Sequence, residues 1–591
     1  MKNWVSRRTL AFAVAAIAAA IPALGQEGPE SLLPPGFGPP APSRPVAPAV
    51  PPAPAPAMEG QAEGAPAAES PDEATASEEP ESYRLPPPVS RPIDRVGAIG
   101  PGTTGFPQDA FGSASGPYLT TLMQRLDTPV ASRWVAIVLR RALLSSVPTA
   151  PGSRPADWVA ERALLLVRLG DVHGARMLVQ AVPLDRYTPR LYAVAAQVAL
   201  ANADIGGLCP IADVGESLSR DALWPMARAM CAGLSGDTSL AAALTDRARQ
   251  RKALGNVDLL LVERIAAAGT GSQRNANVDW TEANRLNIFR YGLATASGVN
   301  IPARLLRTAG PQVQAWRASA PALSLEQRIA SARAGAALGM VSSADLVDLY
   351  SALAEEIDPF EIADTPAGKL RRAYVEQDAD KRLNALGALW TGDMRSRDGY
   401  TSRILTARAA ARIEPDEDLV DQAGALIGSM LSAGLDRQAA RWWPVLQGAS
   451  DSDATEGWAL LSIGAPSAIP VSESRIRGWA QRDESARGRH RTALLVAALA
   501  GLGRLEGSVV DELGAEYGAN LSASSRYLRQ LDSAAAAGRG GEVALLAAIG
   551  MQTARWNGVP PQHLFHIVAA LRRVGREPEA RMIAVEALMR S

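Results

Sequence analysis

The chain has 591 residues, with 60 basic and 61 acidic side chains. A formal net charge of −1 gives no electrostatic reason to bind nucleic acid or acidic lipid. The length exceeds what one compact core supports, which leaves several domains or one extended repeat array. Aromatic residues are only 5% of the total, whereas alanine, leucine and arginine are abundant. That balance favours helix over strand, so the expected fold class is all-α.

Residues 1–25 have the form of a secretory signal. Lys2, Arg7 and Arg8 precede an apolar run from Leu10 to Ile21, which is short for a bilayer span. Small residues at Ala23 and Gly25 fit cleavage near Gly25. The mature chain is then expected to be periplasmic or secreted, with no membrane span. Residues 26–95 hold 19 of the 43 prolines. Such a stretch buries too little apolar surface to offset chain entropy, and is expected to be disordered and extended. Residues 96–116 remain rich in glycine and proline, so the expected Pro/Ala/Glu-rich linker is 26–116.

Helical spacing begins at about residue 117. Pro155, Ala156 and Asp157 open a helix in which apolar positions continue to Leu169, and Gly170 stops it. Asp171 is placed to cap the next helix. The phrase of a glycine followed five positions later by a small residue then recurs. The pairs are Gly170 and Ala175, Gly236 and Ala241, Gly339 and Ala344, Gly434 and Ala439, Gly503 and Ser508, Gly538 and Val543, and Gly575 and Ala580. Successive glycines are 66, 103, 95, 69, 35 and 37 residues apart, near multiples of about 34. That period is the size of a two-helix unit. Asp358 to Pro366 interrupts the pattern and suggests an N-terminal array at 117–360 and a C-terminal array at 361–591.

On these residues the segments 155–182, 427–445 and 560–588 resemble tetratricopeptide or Sel1-like helix pairs. The leucine, glycine and alanine positions match, while the family's tryptophan, tyrosine and proline positions are mostly absent. The resemblance implies an α-solenoid of stacked hairpins with a concave surface that binds protein or peptide. It supplies no specific binding residues.

The residues that could carry chemistry are few. Cys209 and Cys231 are the only cysteines, and in an exported chain they are expected to form a disulfide between neighbouring helices. His563 and His566 share one side of a helix, but no carboxylate stands one turn away, so no metal is expected. No phosphate loop or nucleophile elbow is present, and no cofactor is expected. Trp442 and Trp443 are adjacent, and neighbours on a helix point about 100° apart. One is expected in the core and the other on the groove, where Arg437 or Arg441 beside it makes a platform for a partner. The sequence therefore points to an exported, non-enzymatic helical repeat protein that binds a protein or peptide partner in the cell envelope. The alternatives are a peptidoglycan-associated accessory protein resembling the helical arm of lytic transglycosylases, possessing some affinity for cell-wall glycan, and a passive envelope scaffold.

Overall fold

A computed structural model describes residues 91–127, 129–251, 254–269 and 278–591. The expected signal at 1–25 and the linker as far as residue 90 lie outside the described residues. The rest is overwhelmingly helical. One two-stranded antiparallel ladder, β1 (Arg95–Val96) with β2 (Val147–Pro148), is the sheet among the described residues.

In chain order the helices used below are α1 (Gly116–Arg125), α2 (Arg133–Leu144), α3 (Pro155–Leu169), α4 (Val172–Gln180), α5 (Cys209–Leu218), α6 (Leu223–Leu234) and α7 (Thr238–Gln250). They continue with α8 (Leu325–Ala337), α9 (Ser343–Glu356), α10 (Arg397–Ala410), α11 (Val420–Ser432), α12 (Asp436–Ala440), α13 (Trp443–Gly448) and α14 (Asp451–Gly464). The last six are α15 (Ala486–Gly501), α16 (Gly507–Glu516), α17 (Arg526–Ala536), α18 (Gly540–Gly550), α19 (Pro561–Arg573) and α20 (Glu577–Arg590).

All seven repeat glycines sit between two helices of a hairpin, and all seven have positive φ, from 68° at Gly503 to 107° at Gly170. Glycine takes this left-handed conformation without the Cβ clash that other residues meet. Gly170 shows how the turn is built. Its N–H bonds the carbonyls of Leu166 and Val167, and the Asp171 carboxylate then accepts from the Gly174 amide to start α4. Five of the seven small residues that follow, Ala175, Ala241, Ala439, Val543 and Ala580, are buried where the second helix packs on the first. Ala344 is half-buried and Ser508 is exposed, so the phrase is looser at α9 and α16.

The first and last helices of the described residues meet. α2 packs against both α18 and α20, and α1 packs against α18. The start of α2 is a point of convergence. Arg133 donates Nε to the Ala336 carbonyl at 2.8 Å and Nη1 to the Ser432 carbonyl at 3.2 Å. The Ala131 N–H donates to Met551. A Cβ added at Gly339 would lie 2.6 Å from the Arg133 carbonyl, and one at Gly434 would lie 2.8 Å from the Trp134 ring. The concave side expected of an open array is occupied here by the chain's own helices.

α20 occupies the interior, and every residue from Glu579 to Arg590 is buried. Its charges all have partners. Glu579 meets Arg141 at 2.8 Å, Arg581 meets Asp436 at 2.9 Å, and Arg590 meets Glu586 at 2.6 Å. A buried charge without a partner is strongly destabilising, so this pairing is what allows a helix of such polarity to lie inside.

Two expectations need revision. Residues 91–115, the last part of the expected linker, are a strap packed on the core. Phe106 and Phe111 are buried. Phe111 meets Trp158 edge-on at 5.3 Å, and Arg576 lies over Phe106 at 3.9 Å. The Gly541 amide donates to the Ala110 carbonyl at 2.7 Å. Arg162, fully buried, ties the strap down through the carbonyls of Leu143, Val96 and Ser145. Burial pulls this guanidinium down to about 9. Composition alone marks 96–116 as linker because glycine and proline exclude helix. They do not exclude an irregular segment with two anchoring aromatics. The interruption at 358–366 is also not a break in packing: α8 and α9 both pack on α10, and one contiguous core runs through both proposed arrays.

Candidate functional site

Cys209 and Cys231 form a disulfide, with Cα atoms 5.6 Å apart and a sequence separation of 22. Cys209 begins α5, and Cys231 lies in the last turn of α6. The bond fastens the antiparallel pair α5 and α6, a crosslink worth about 3 kcal/mol by loop-closure entropy.

His563 and His566 do not converge. His563 Nδ1 meets the Gly550 carbonyl at 3.1 Å, and His566 Nδ1 meets Asp532 at 2.9 Å. Among the described residues no three His, Cys, Asp or Glu side chains group so as to hold a metal ion. No helix among them is long and apolar enough to cross a membrane.

Of the eleven tryptophans after residue 25, nine are buried, which leaves Trp390 and Trp443 as the indoles that reach the surface. Trp442 caps the start of α13 and is 1% exposed, fully part of the core. Trp443 is half-buried. The arginine over it is Arg475, at 5.9 Å from the ring centroid, and neither Arg437 nor Arg441 stacks there. Arg475 also faces Trp458 at 5.8 Å, so its guanidinium bridges two indoles. Arg437 is exposed on α12, and Arg441 is paired with Glu414. A shallow cleft of about 40 Å³ opens beside Arg475, bounded by Thr455, Ser474 and Arg482. Trp443 keeps a partly exposed face, and the cation over it arrives from 32 residues further along the chain.

Trp390 marks a second place, which the sequence reading missed. Its Nε1 donates to Thr406 Oγ1 at 2.7 Å, and Arg403 lies over its face at 3.9 Å. Arg403 lines a cavity of about 360 Å³ that reaches the surface between α10, α11, α14 and α15. Arg395 and Arg491 line it too, along with Met394, Leu460 and Met589. Arg491 is engaged: Nε donates to the Leu588 carbonyl at 3.0 Å and Nη2 pairs with Glu456 at 3.2 Å. Arg403 is not so satisfied. Nη1 reaches the Ala425 carbonyl at 3.3 Å, Nε has no hydrogen-bond partner, and no carboxylate among the described residues pairs with it. Burial alone pulls its pKa down to about 10, as expected when no acid opposes the loss of water. Small residues make the room: a Cβ at Gly428 would come within 3.1 Å of the Met589 methyl. A half-exposed tryptophan one turn-length before an arginine-bearing helix carries no periodic signal, so no spacing rule finds this site.

The chain matches no protein-family model, no curated protein and no solved structure.

Proposed function

We propose that this is an exported, non-enzymatic helical repeat protein of the tetratricopeptide type, acting by binding a protein or peptide partner in the cell envelope. The observation that carries the reading is the Trp443 platform, a partly exposed indole beside a guanidinium already ordered by a second, buried indole. Aromatic and arginine side chains held in place in this way supply most of the energy at protein interfaces. The disulfide supports an oxidising compartment outside the cytosol. In this reading the partner meets the surface of α13 and the helix Glu473–Gln481 and not an open concave face. Cross-linking in living cells, followed by purification and mass spectrometry, tests the proposal. One dominant envelope protein, lost in Trp443→Ala and Arg475→Ala, is expected. Recovery of glycan fragments instead, or of no specific partner, overturns it.

A further inference from the structure

Arg403 is withdrawn from water with fewer polar partners than a buried guanidinium usually has. A guanidinium withdrawn from water normally has a carboxylate or a full set of carbonyl acceptors. Arg162 and Arg590 follow that rule elsewhere in this chain, with three carbonyl partners and a carboxylate respectively. Arg403 has one long bond to a carbonyl, the face of Trp390, and an unpartnered Nε. The same side chain lines an open cavity whose other walls include Met394, Leu460 and Met589. Arg395, also on the lining, is exposed and has no ion pair among the described residues.

We propose that this cavity is a ligand site for a small monocarboxylate with an apolar arm, its carboxylate held by Arg403 and its arm against Met394, Leu460 and Met589. The planar guanidinium presents donors in a fork that matches a carboxylate in two-point contact. Stacking on Trp390 fixes the plane of that fork before any ligand arrives, which lowers the ordering cost of binding. Of the two unpaired guanidiniums on the lining, Arg403 is the less exposed, and it calls for a single negative charge. The Glu456 and Asp393 carboxylates at the same cavity disfavour a doubly charged phosphate. The thioether walls are flexible and fit arms of different shape, so selectivity resides in the anionic end. This site is separate from the Trp443 platform and stands or falls independently of it.

The test is methionine-methyl NMR of the full chain labelled with ¹³C at its methionine methyl groups, titrated with hexanoate. The Met394 and Met589 methyl signals should shift and saturate, while methionines outside the cavity hold their positions. Hexanamide, which has the same arm and no charge, should bind at least tenfold more weakly, as should hexanoate to Arg403→Gln. A charge-assisted hydrogen bond is worth enough to produce such a factor. Unchanged signals elsewhere in Arg403→Gln establish that the variant is folded. Gly428→Ala, which pushes the Met589 methyl into the cavity and leaves every charge in place, should weaken hexanoate as well. The proposal fails if hexanamide matches hexanoate, if Arg403→Gln binds as the parent does, if inorganic phosphate competes as strongly as hexanoate, or if neither cavity methyl responds.

Discussion

The contact between the start of α2 and α20 centres on one carboxylate, and replacing it should loosen the molecule there. Glu586, fully buried in α20, accepts from Ser132 Oγ at 2.7 Å, from the Arg133 amide at 2.9 Å and from the Trp134 amide at 3.1 Å. These amides belong to the first turn of α2, where no partner exists within the helix. The carboxylate also takes Arg590 Nη1 at 2.6 Å, so four donors share two oxygens. Glu586→Gln keeps the shape but makes one end a donor that faces donors. Bonds to a charged acceptor contribute about 1.5–3 kcal/mol each, and a buried donor left unmade costs about 1–3 kcal/mol. A loss of about 3 kcal/mol follows, which is roughly a hundredfold in an opening equilibrium. Hydrogen exchange read by mass spectrometry is the assay. Amides of α2 and α20 should exchange about a hundredfold faster, while those of α5 and α6, tied by the disulfide, change much less. Wild-type protection of α2 in Glu586→Gln would show that the carboxylate is not what holds the ends together.

Two further outcomes follow from the geometry. Gly434 and Gly575 have nearly the same positive φ, 80° and 75°, but an added Cβ lies 2.8 Å from the Trp134 ring at Gly434 and meets nothing within 4 Å at Gly575. Gly575→Ala should cost about 1 kcal/mol from backbone strain, and Gly434→Ala at least twice that, read as denaturation midpoints. Equal costs would mean that Trp134 yields freely. Burial, with the Tyr192 ring second, pushes the Tyr187 phenol up to about 12, and its hydroxyl donates to the Val179 carbonyl at 3.0 Å. Its contribution is full below the unfolded value near 10 and is lost as pH climbs toward 12, up to about 2 kcal/mol. Tyr187→Phe should therefore be the less stable protein at pH 9 and lose that disadvantage by pH 12. A gap that stays constant across the range would refute the assignment.

What could be read from the sequence was local. A left-handed stop after a helix demands glycine on the spot, so Gly170, Gly236 and the five that follow marked their hairpins without any knowledge of neighbours. Two cysteines in an otherwise cysteine-free chain had only each other as partners. Trp442 is buried and Trp443 half-buried, but Trp442 stands in the turn before α13, so helix spacing is not what separates them. The contacts that could not be read are those in which the partner is distant and the spacing arbitrary. Arg475 reaches Trp443 across the turn between α14 and the helix Glu473–Gln481. Arg403 covers Trp390 from a different helix. Ser132 and Glu586 lie 454 residues apart. In the strap, composition hid Phe106 and Phe111 behind glycine and proline.

Closure is the largest of these unreadable features, and it changes what the repeat glycines are for. A period of about 34 residues reports how each hairpin stacks on the next. It is silent on whether the first hairpin ever meets the last. In this chain two of the repeat turns do a second job: Gly339 and Gly434 let the turns after α8 and α11 approach the start of α2 more closely than any side chain would permit. The same residue that ends a helix thus makes room for the helix that fills the interior. α2 and α20 then convert what would be a binding groove into core. The places proposed above for recognition are the Trp443 platform and the mouth of the Arg403 cavity. Both draw mainly on the stretch from Trp390 to Arg491, and Met589 of α20 completes the cavity wall. A helical chain whose interior is filled in this way offers small sites of fixed geometry in place of one long, adaptable surface. Its ligands are therefore expected to be recognised by one or two anchoring groups, and not along an extended peptide.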